Sequence, residues 1–212
     1  MSFYDEWKNE MGYDPFNIDG ILNNDKWNNA PTKIMFLAKE SYGDYYPQRG
    51  QEIPIDGGKN KSFWWNVARW KHLIFKHMSG DEHEEFPNIE DLKEVKNGSR
   101  CLDDIAWVNI KKKLGGSKSN MTEIHQFAEK DKEFLEKQFA EINPEVVLCC
   151  GTFYAYKIVY SHTKDIVKIS DGIYKHGSRL IIEFYHPGYF AYKGGQSGLY
   201  RKLSEILKAY KF

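Results

Sequence analysis

The sequence predicts an α/β fold: a three-layer α/β/α sandwich around a central, mainly parallel four-stranded sheet. Three observations carry that expectation. Short apolar runs at 34–37, 105–108, 146–150 and 180–185 have the length and continuity of strands buried on both faces. Stretches with apolar residues at helical spacing alternate with them, which is the pattern of a parallel sheet with crossover helices. At 212 residues the chain is long enough for one full hydrophobic core. A single domain over residues 1–212 is expected, with 1–32 as an N-terminal helix and loop extension.

In chain order, Phe3, Tyr4, Trp7 and Met11 fall on one helical face and predict a short helix. Residues 12–32 are rich in Asn, Asp, Gly and Pro and read as loop. The run Ile34-Met35-Phe36-Leu37 then predicts a buried strand that gives way at Ala38 to the polar residues Lys39-Glu40-Ser41-Tyr42-Gly43-Asp44. Residues 43–61 form a long glycine-rich loop carrying Arg49, Lys59 and Lys61; loops of that length in a compact domain are usually functional or disordered. Ser62 is placed as the N-cap of a helix whose buried face is Phe63, Val67, Trp70 and Ile74.

Residues 79–99 are acidic and irregular, with a short helix read over 89–95. A second strand, Ile105-Ala106-Trp107-Val108, ends at Asn109, and a loop follows with Lys111, Lys112, Lys113, Gly115, Gly116, Ser117 and Lys118. One helix is read through Phe127, Leu135, Phe139 and Ile142, ended by Asn143-Pro144. The third strand, from Val146, closes at Gly151. Ala155, Ile158 and Val159 suggest a helix, and 166–169 fits an edge strand. The fourth strand leads into His186-Pro187-Gly188, and the loop after it leads into a last helix lined by Leu199, Leu203, Ile206, Leu207 and Tyr210.

Charge and composition narrow the function classes. Lys+Arg and Asp+Glu both number 30, so no global charge draws the chain to nucleic acid or membrane, although local positive patches remain open. Three cysteines, two of them adjacent, give neither a disulfide framework nor a zinc spacing, and too few ligands for a four-cysteine iron–sulfur cluster. No metal or other cofactor is expected. The N-terminus lacks the pattern of a signal peptide, and no apolar run has the length of a membrane span, so a cytoplasmic monomer is the expectation.

In parallel α/β sheets ligands bind beyond the carboxyl ends of the strands. There the sequence places Lys39 and Glu40, Asn109, Gly151 and His186, from four separate elements. A carboxylate such as Glu40 can stabilise a sugar cation or orient water, and a fixed donor such as His186 can hold charge on a departing ring. Asn109 offers a donor and an acceptor to a base edge. No second carboxylate falls at the strand ends, so the paired acids of ordinary glycosidases are not supported.

These stretches resemble the motifs of the uracil-DNA glycosylase superfamily, in the family's order, over about residues 33–207. Ala38-Lys39-Glu40-Ser41-Tyr42 resembles its Gly-Gln-Asp-Pro-Tyr motif. Ser62-Phe63-Trp64-Trp65-Asn66-Val67 resembles the serine-led segment that touches DNA phosphate. Ala106 to Ile110 resembles the strand bearing the base-reading asparagine, and His186-Pro187-Gly188 resembles the His-Pro-Ser motif.

The resemblance implies a monofunctional DNA glycosylase. Glu40 and His186 would be catalytic, and Ala38, Lys39, Tyr42, Asn109 and Gly151 would line the base pocket. Ser62, Lys111, Lys112, Lys113, Pro187, Gly188, Tyr189 and Phe190 would contact DNA. Glu40 for Asp, Ser41 for Pro, Gly188 for Ser and the cation of Lys39 depart from the family pattern. These departures point from plain uracil toward a larger, modified base, as in relatives that defend bacteria by excising bulky modified bases from phage DNA.

The base must be flipped out of the duplex. Tyr189 and Phe190 are either a wedge filling the gap or, for Phe190, packing beneath the last helix. Repair of uracil or a deaminated base is the alternative within the class; a non-catalytic domain that binds nucleic acid or a nucleotide is the alternative outside it. A bifunctional lyase is disfavoured: it would need an amine nucleophile beside the sugar, and Lys39 is the one residue that could supply it.

Overall fold

The computed structural model describes residues 2–42, 48–51, 53, 61–81, 85–89, 91–92, 101–116 and 118–210. Lys59, Ser117, Gly43, Asp44 and the greater part of the 89–95 helix reading therefore lie outside the described residues. Fourteen helices and strands follow one another among those described. They are α1 (Phe3–Met11), β1 (Gly20–Ile21), α2 (Asn24–Asn28), β2 (Ile34–Tyr42), α3 (Lys61–Met78), β3 (Ile105–Gly115) and α4 (Met121–Lys130). Then come α5 (Lys132–Ile142), β4 (Val146–Cys150), α6 (Phe153–Val159), β5 (Ile166–Ser170), β6 (Ile173–His176), β7 (Arg179–Phe184) and α7 (Gly195–Lys208).

The sheet is mixed and has seven strands in the order β1-β3-β2-β4-β7-β6-β5, not the expected four. The four strands read from the apolar runs are its centre, and they are mutually parallel. Two antiparallel additions flank them: β1 beside β3, and the β5–β6 hairpin beside β7, with β5 at the margin. Side chains alternate across the central strands. Ile34, Phe36, Val146, Leu148 and Ile182 join α3 and α7 in one apolar cluster. Met35, Leu37, Val147, Cys149 and Ile181 join α1, α4, α5 and α6 in another. Helices thus cover both faces, which is why the stretches 34–38, 105–108, 146–150 and 180–182 are apolar throughout.

Several boundaries differ from the sequence reading, each for a physical reason. Residues 2–32 pack onto the sheet: Trp7 and Trp27 are buried in the second cluster, and β1 pairs with β3 at Gly20↔Trp107. The helix read through Phe127 and Ile142 is two helices. The chain breaks at Asp131, which is fully buried and accepts a hydrogen bond from the Tyr13 hydroxyl at 2.9 Å. Ser62 is not the N-cap of α3 but lies within its first turn, exposed. At α1 the expectation holds, and Ser2 forms a capping box with Asp5.

The largest difference is the length of β2 and β3. They do not stop at Ala38 and Asn109 but continue as partners through Ala38↔Asn109, Glu40↔Lys111 and Tyr42↔Gly115, with a bulge between Glu40 and Tyr42. The lysine run is therefore strand, not loop. Among the described residues no helix is long and apolar enough to cross a membrane.

Candidate functional site

Parallel register brings the predicted residues to one edge of the sheet. Leu37 pairs with Cys149 and Cys150 with Phe184, so Lys39 and Glu40 in the last part of β2 lie toward the same side of the sheet as Gly151 after β4 and His186 after β7. Asn109 sits at the same level on β3, opposite Ala38. At the level of side chains this edge divides into three groups.

The first group surrounds His186. Gly151 takes a left-handed conformation, φ +73°, and its missing side chain is what lets Lys39 lie against the turn. A Cβ there would stand 3.3 Å from Lys39 Cε, 3.7 Å from Lys39 Nζ and 3.9 Å from the His186 backbone nitrogen. Lys39 and His186 are thus neighbours across one glycine. The Gly188 N–H donates to His186 Nδ1 at 3.2 Å, so in the neutral ring the proton is on Nε2. Burial, and then the nearby Lys39 charge, draw the imidazole pKa from 6.5 down to about 4.

The ring of Phe63, from the first turn of α3, lies 5.4 Å from the imidazole. Asn66 Nδ2 donates to the Pro187 carbonyl at 2.8 Å and fixes the turn to α3. Pro187 is buried, and its carbonyl serves this bond rather than DNA. Among the described residues no carboxylate pairs with Lys39. The two polar groups that this turn brings near each other, the Lys39 ammonium and the His186 Nε2–H, are therefore both donors.

The second group is an ion-pair triad. Lys111 Nζ lies 2.8 Å from Glu40 Oε2 and 2.8 Å from Glu123 Oε1. The Glu40 side chain is 3% exposed, and it packs where a Cβ on Gly115 would overlap its carboxyl carbon. Burial opposes the Lys111 charge, but hydrogen bonds to Glu123 and Glu40 outweigh it and raise the pKa. Lys111 is accordingly buried and committed to two carboxylates, and it is not a phosphate contact.

The third group is a sealed polar network on Asp19. Lys112 Nζ lies 2.5 Å from Asp19 Oδ1 and 2.9 Å from Gln138 Oε1, and both charged side chains are fully buried. Lys112 therefore cannot reach DNA, which corrects the second of the expected phosphate contacts. Burial pulls its pKa down against the opposing pull of Asp19. Lys113 is half-buried, with its ammonium 6.0 Å from the Tyr13 ring centre.

Asp19 Oδ2 also accepts from the Asn109 backbone N–H at 2.8 Å and from Asn109 Nδ2 at 3.0 Å. The same Nδ2 reaches Ser41 Oγ at 3.2 Å, which in turn accepts from Asn17 Nδ2 at 2.7 Å. Both amide protons of Asn109 are thus taken inside the protein. Its Oδ1 alone is buried and without a partner among the described residues.

Exposed aromatics border the His186 turn. Tyr189 stacks on Tyr185 at 5.5 Å with planes 10° apart, and Phe190 is 49% exposed, so Phe190 is not packed beneath the last helix. The turn is closed by the Tyr189 N–H to the His186 carbonyl and the Phe190 N–H to the Gly188 carbonyl. Tyr42, at the far end of β2, is 61% exposed. Lys118 is exposed beyond β3.

Sequence reasoning missed Asp19, Phe63 as a neighbour of the histidine, and Asn66. Asp19 sits in an Asn/Asp/Gly-rich tract with no periodic signal. The sequence offered Asn66 only as a member of the serine-led stretch 62–67, with no role of its own. No family model matches the chain, and no curated protein matches it.

Proposed function

We propose that this chain is a divergent member of the uracil-DNA glycosylase superfamily. It would hydrolyse the N-glycosidic bond of a flipped-out modified base in DNA and leave an abasic site. In the reaction the C1′–N bond breaks and its electron pair passes to the base. A water oxygen bonds to C1′, and of the two water protons one stays on the new hydroxyl while the other goes to the base.

The observation that carries the reading is the state of His186. It is a partly buried imidazole held neutral, with Nδ1 occupied by the Gly188 N–H and Nε2–H left to donate. A neutral donor fixed at the carboxyl edge of a parallel sheet suits a ring that takes up negative charge as it leaves. The exposed Tyr189 and Phe190 beside it suit a segment that enters a base stack. Glu40 retains a part in this reading as a carboxylate at the same edge, its position set by Lys111 and Gly115.

Incubation with duplexes containing uracil, hydroxymethylated or glucosylated bases, scored for abasic sites, tests the proposal. Release from at least one is expected. His186→Ala should slow it by about two to three orders of magnitude, the typical loss for one oxyanion donor. Release at full rate by a folded His186→Ala protein would refute the assignment. Binding without release would favour the non-catalytic alternative.

A further inference from the structure

We propose that Lys39 is a second catalytic donor to the departing base, forming with His186 a paired site for a pyrimidine-type oxyanion. The inference rests on the glycosylase reading and deepens it, because it names the class of leaving group.

Three observations converge on it. Lys39 lies against Gly151 in space that the absent side chain leaves open, next to the His186 backbone nitrogen, and its charge acts on the imidazole. The Lys39 ammonium lacks a carboxylate partner among the described residues, whereas Lys111 and Lys112, on the neighbouring strand, are both paired. The two groups present donors only: the histidine's remaining acceptor, Nδ1, is already filled by the Gly188 N–H. A cation with no carboxylate partner among the described residues and a neutral N–H donor close beside it are complementary to an oxygen that carries, or is acquiring, negative charge.

The chemistry then selects the base. When the C1′–N bond breaks heterolytically, both bonding electrons pass to the base nitrogen. In a 2-oxo pyrimidine they delocalise onto the carbonyl oxygen beside it. Neither Lys39 nor His186 transfers a proton in that step; each donates a hydrogen bond to the oxyanion. An alkylated base that is cationic before cleavage leaves as a neutral molecule. It gains nothing from Lys39 and is repelled by it. The site therefore belongs to oxo-pyrimidines leaving as anions. The added cation suits poor leaving groups, whose departing anion a neutral histidine alone stabilises less.

Calorimetric titration of the full chain with barbiturate and with uracil tests this. Barbiturate is a pyrimidine that is an anion at neutral pH, and uracil is its neutral counterpart. The wild-type protein should bind barbiturate about tenfold or more tightly than uracil, as expected for one charge contact in a partly buried site. Lys39→Met should abolish that preference and Lys39→Arg should retain most of it, with circular dichroism confirming that both are folded. A preference that survives in Lys39→Met, or no barbiturate binding by the wild type, overturns the proposal. If the preference depends on Lys39 but no modified duplex yields abasic sites, the glycosylase reading fails and the oxyanion site stands. If abasic sites form at equal rates in wild type and Lys39→Met, the glycosylase reading stands and Lys39 has no part in it.

Discussion

Replacing Asp19 with alanine should be among the most destabilising single changes this protein can suffer. Asp19 is fully buried, and its carboxylate takes Lys112 Nζ on one oxygen and three N–H donors, two from Asn109 and one from Asn17, on the other. Its loss leaves the Lys112 ammonium with Gln138 as its only hydrogen-bond acceptor among the described residues, at full burial. Breaking one side of a buried ion pair costs about 3–5 kcal/mol, and orphaned buried donors add roughly 1–3 kcal/mol each before relaxation. Against a total stability of roughly 5–15 kcal/mol, a loss of about 4 kcal/mol removes a large share of the folded state.

Urea denaturation followed by tryptophan fluorescence measures it, since Trp7 lies 5.0 Å from Lys112 Nζ. Lys112→Met should also cost about 3 kcal/mol, because it strands the carboxylate. The double variant Asp19→Asn/Lys112→Met should lose less than either Asp19→Ala or Lys112→Met alone. A loss below about 1 kcal/mol for Asp19→Ala, or losses that simply add in the double variant, would refute the view that this pair closes the N-terminal arm onto the sheet.

Three further outcomes follow from the geometry. Gly115→Ala should cost about 1–3 kcal/mol in denaturation and displace Glu40 from Lys111, because the new methyl overlaps the Glu40 carboxyl carbon; unchanged stability would contradict that packing. His186 has a folded pKa depressed to about 4 from 6.5, so its neutral form is the stable one. Its contribution is therefore whole above about pH 6.5 and is lost as pH falls toward about 4, up to about 3 kcal/mol. Denaturation across that range should show the acid loss shrink in His186→Gln, and an identical pH profile would count against the partly buried neutral ring. Tyr189→Ala and Phe190→Ala should each weaken binding of modified DNA by about 1–3 kcal/mol, read by fluorescence anisotropy, with α3 and the sheet unaffected; wild-type affinity in both would remove the aromatic turn from the interface.

The centre of the fold was legible because buried parallel strands announce themselves as unbroken apolar runs; all four were found, although β2 and β3 continue beyond the apolar stretch. On the flanks only the edge strand at 166–169 was legible, as β5; two short strands were not. Gly20–Ile21 is a two-residue strand inside a tract of turn formers, and Ile173–His176 mixes apolar and basic residues because only part of it is covered. In both, pairing with a long neighbour, not local preference, makes the strand.

The lysine run shows the limit most clearly. Three consecutive lysines read as solvated charge, and two are buried. Their counter-ions, Glu40 and Asp19, lie 71 and 93 residues away in sequence, so no local window could reveal them. At the candidate site, the histidine and the glycine were found from their places after strands. The commitment of Asn109's amide protons to Asp19 was invisible for the same reason as the buried lysines.

The distance along the chain between Asp19 and Lys112 also bears on how the protein is made. Translation delivers the acid 93 residues before its cation. At usual elongation speeds that gap lasts roughly 5–20 seconds. Throughout it the nascent N-terminal arm has no counter-charge to bury against, so its docking belongs late in biogenesis, after β3 has left the ribosome.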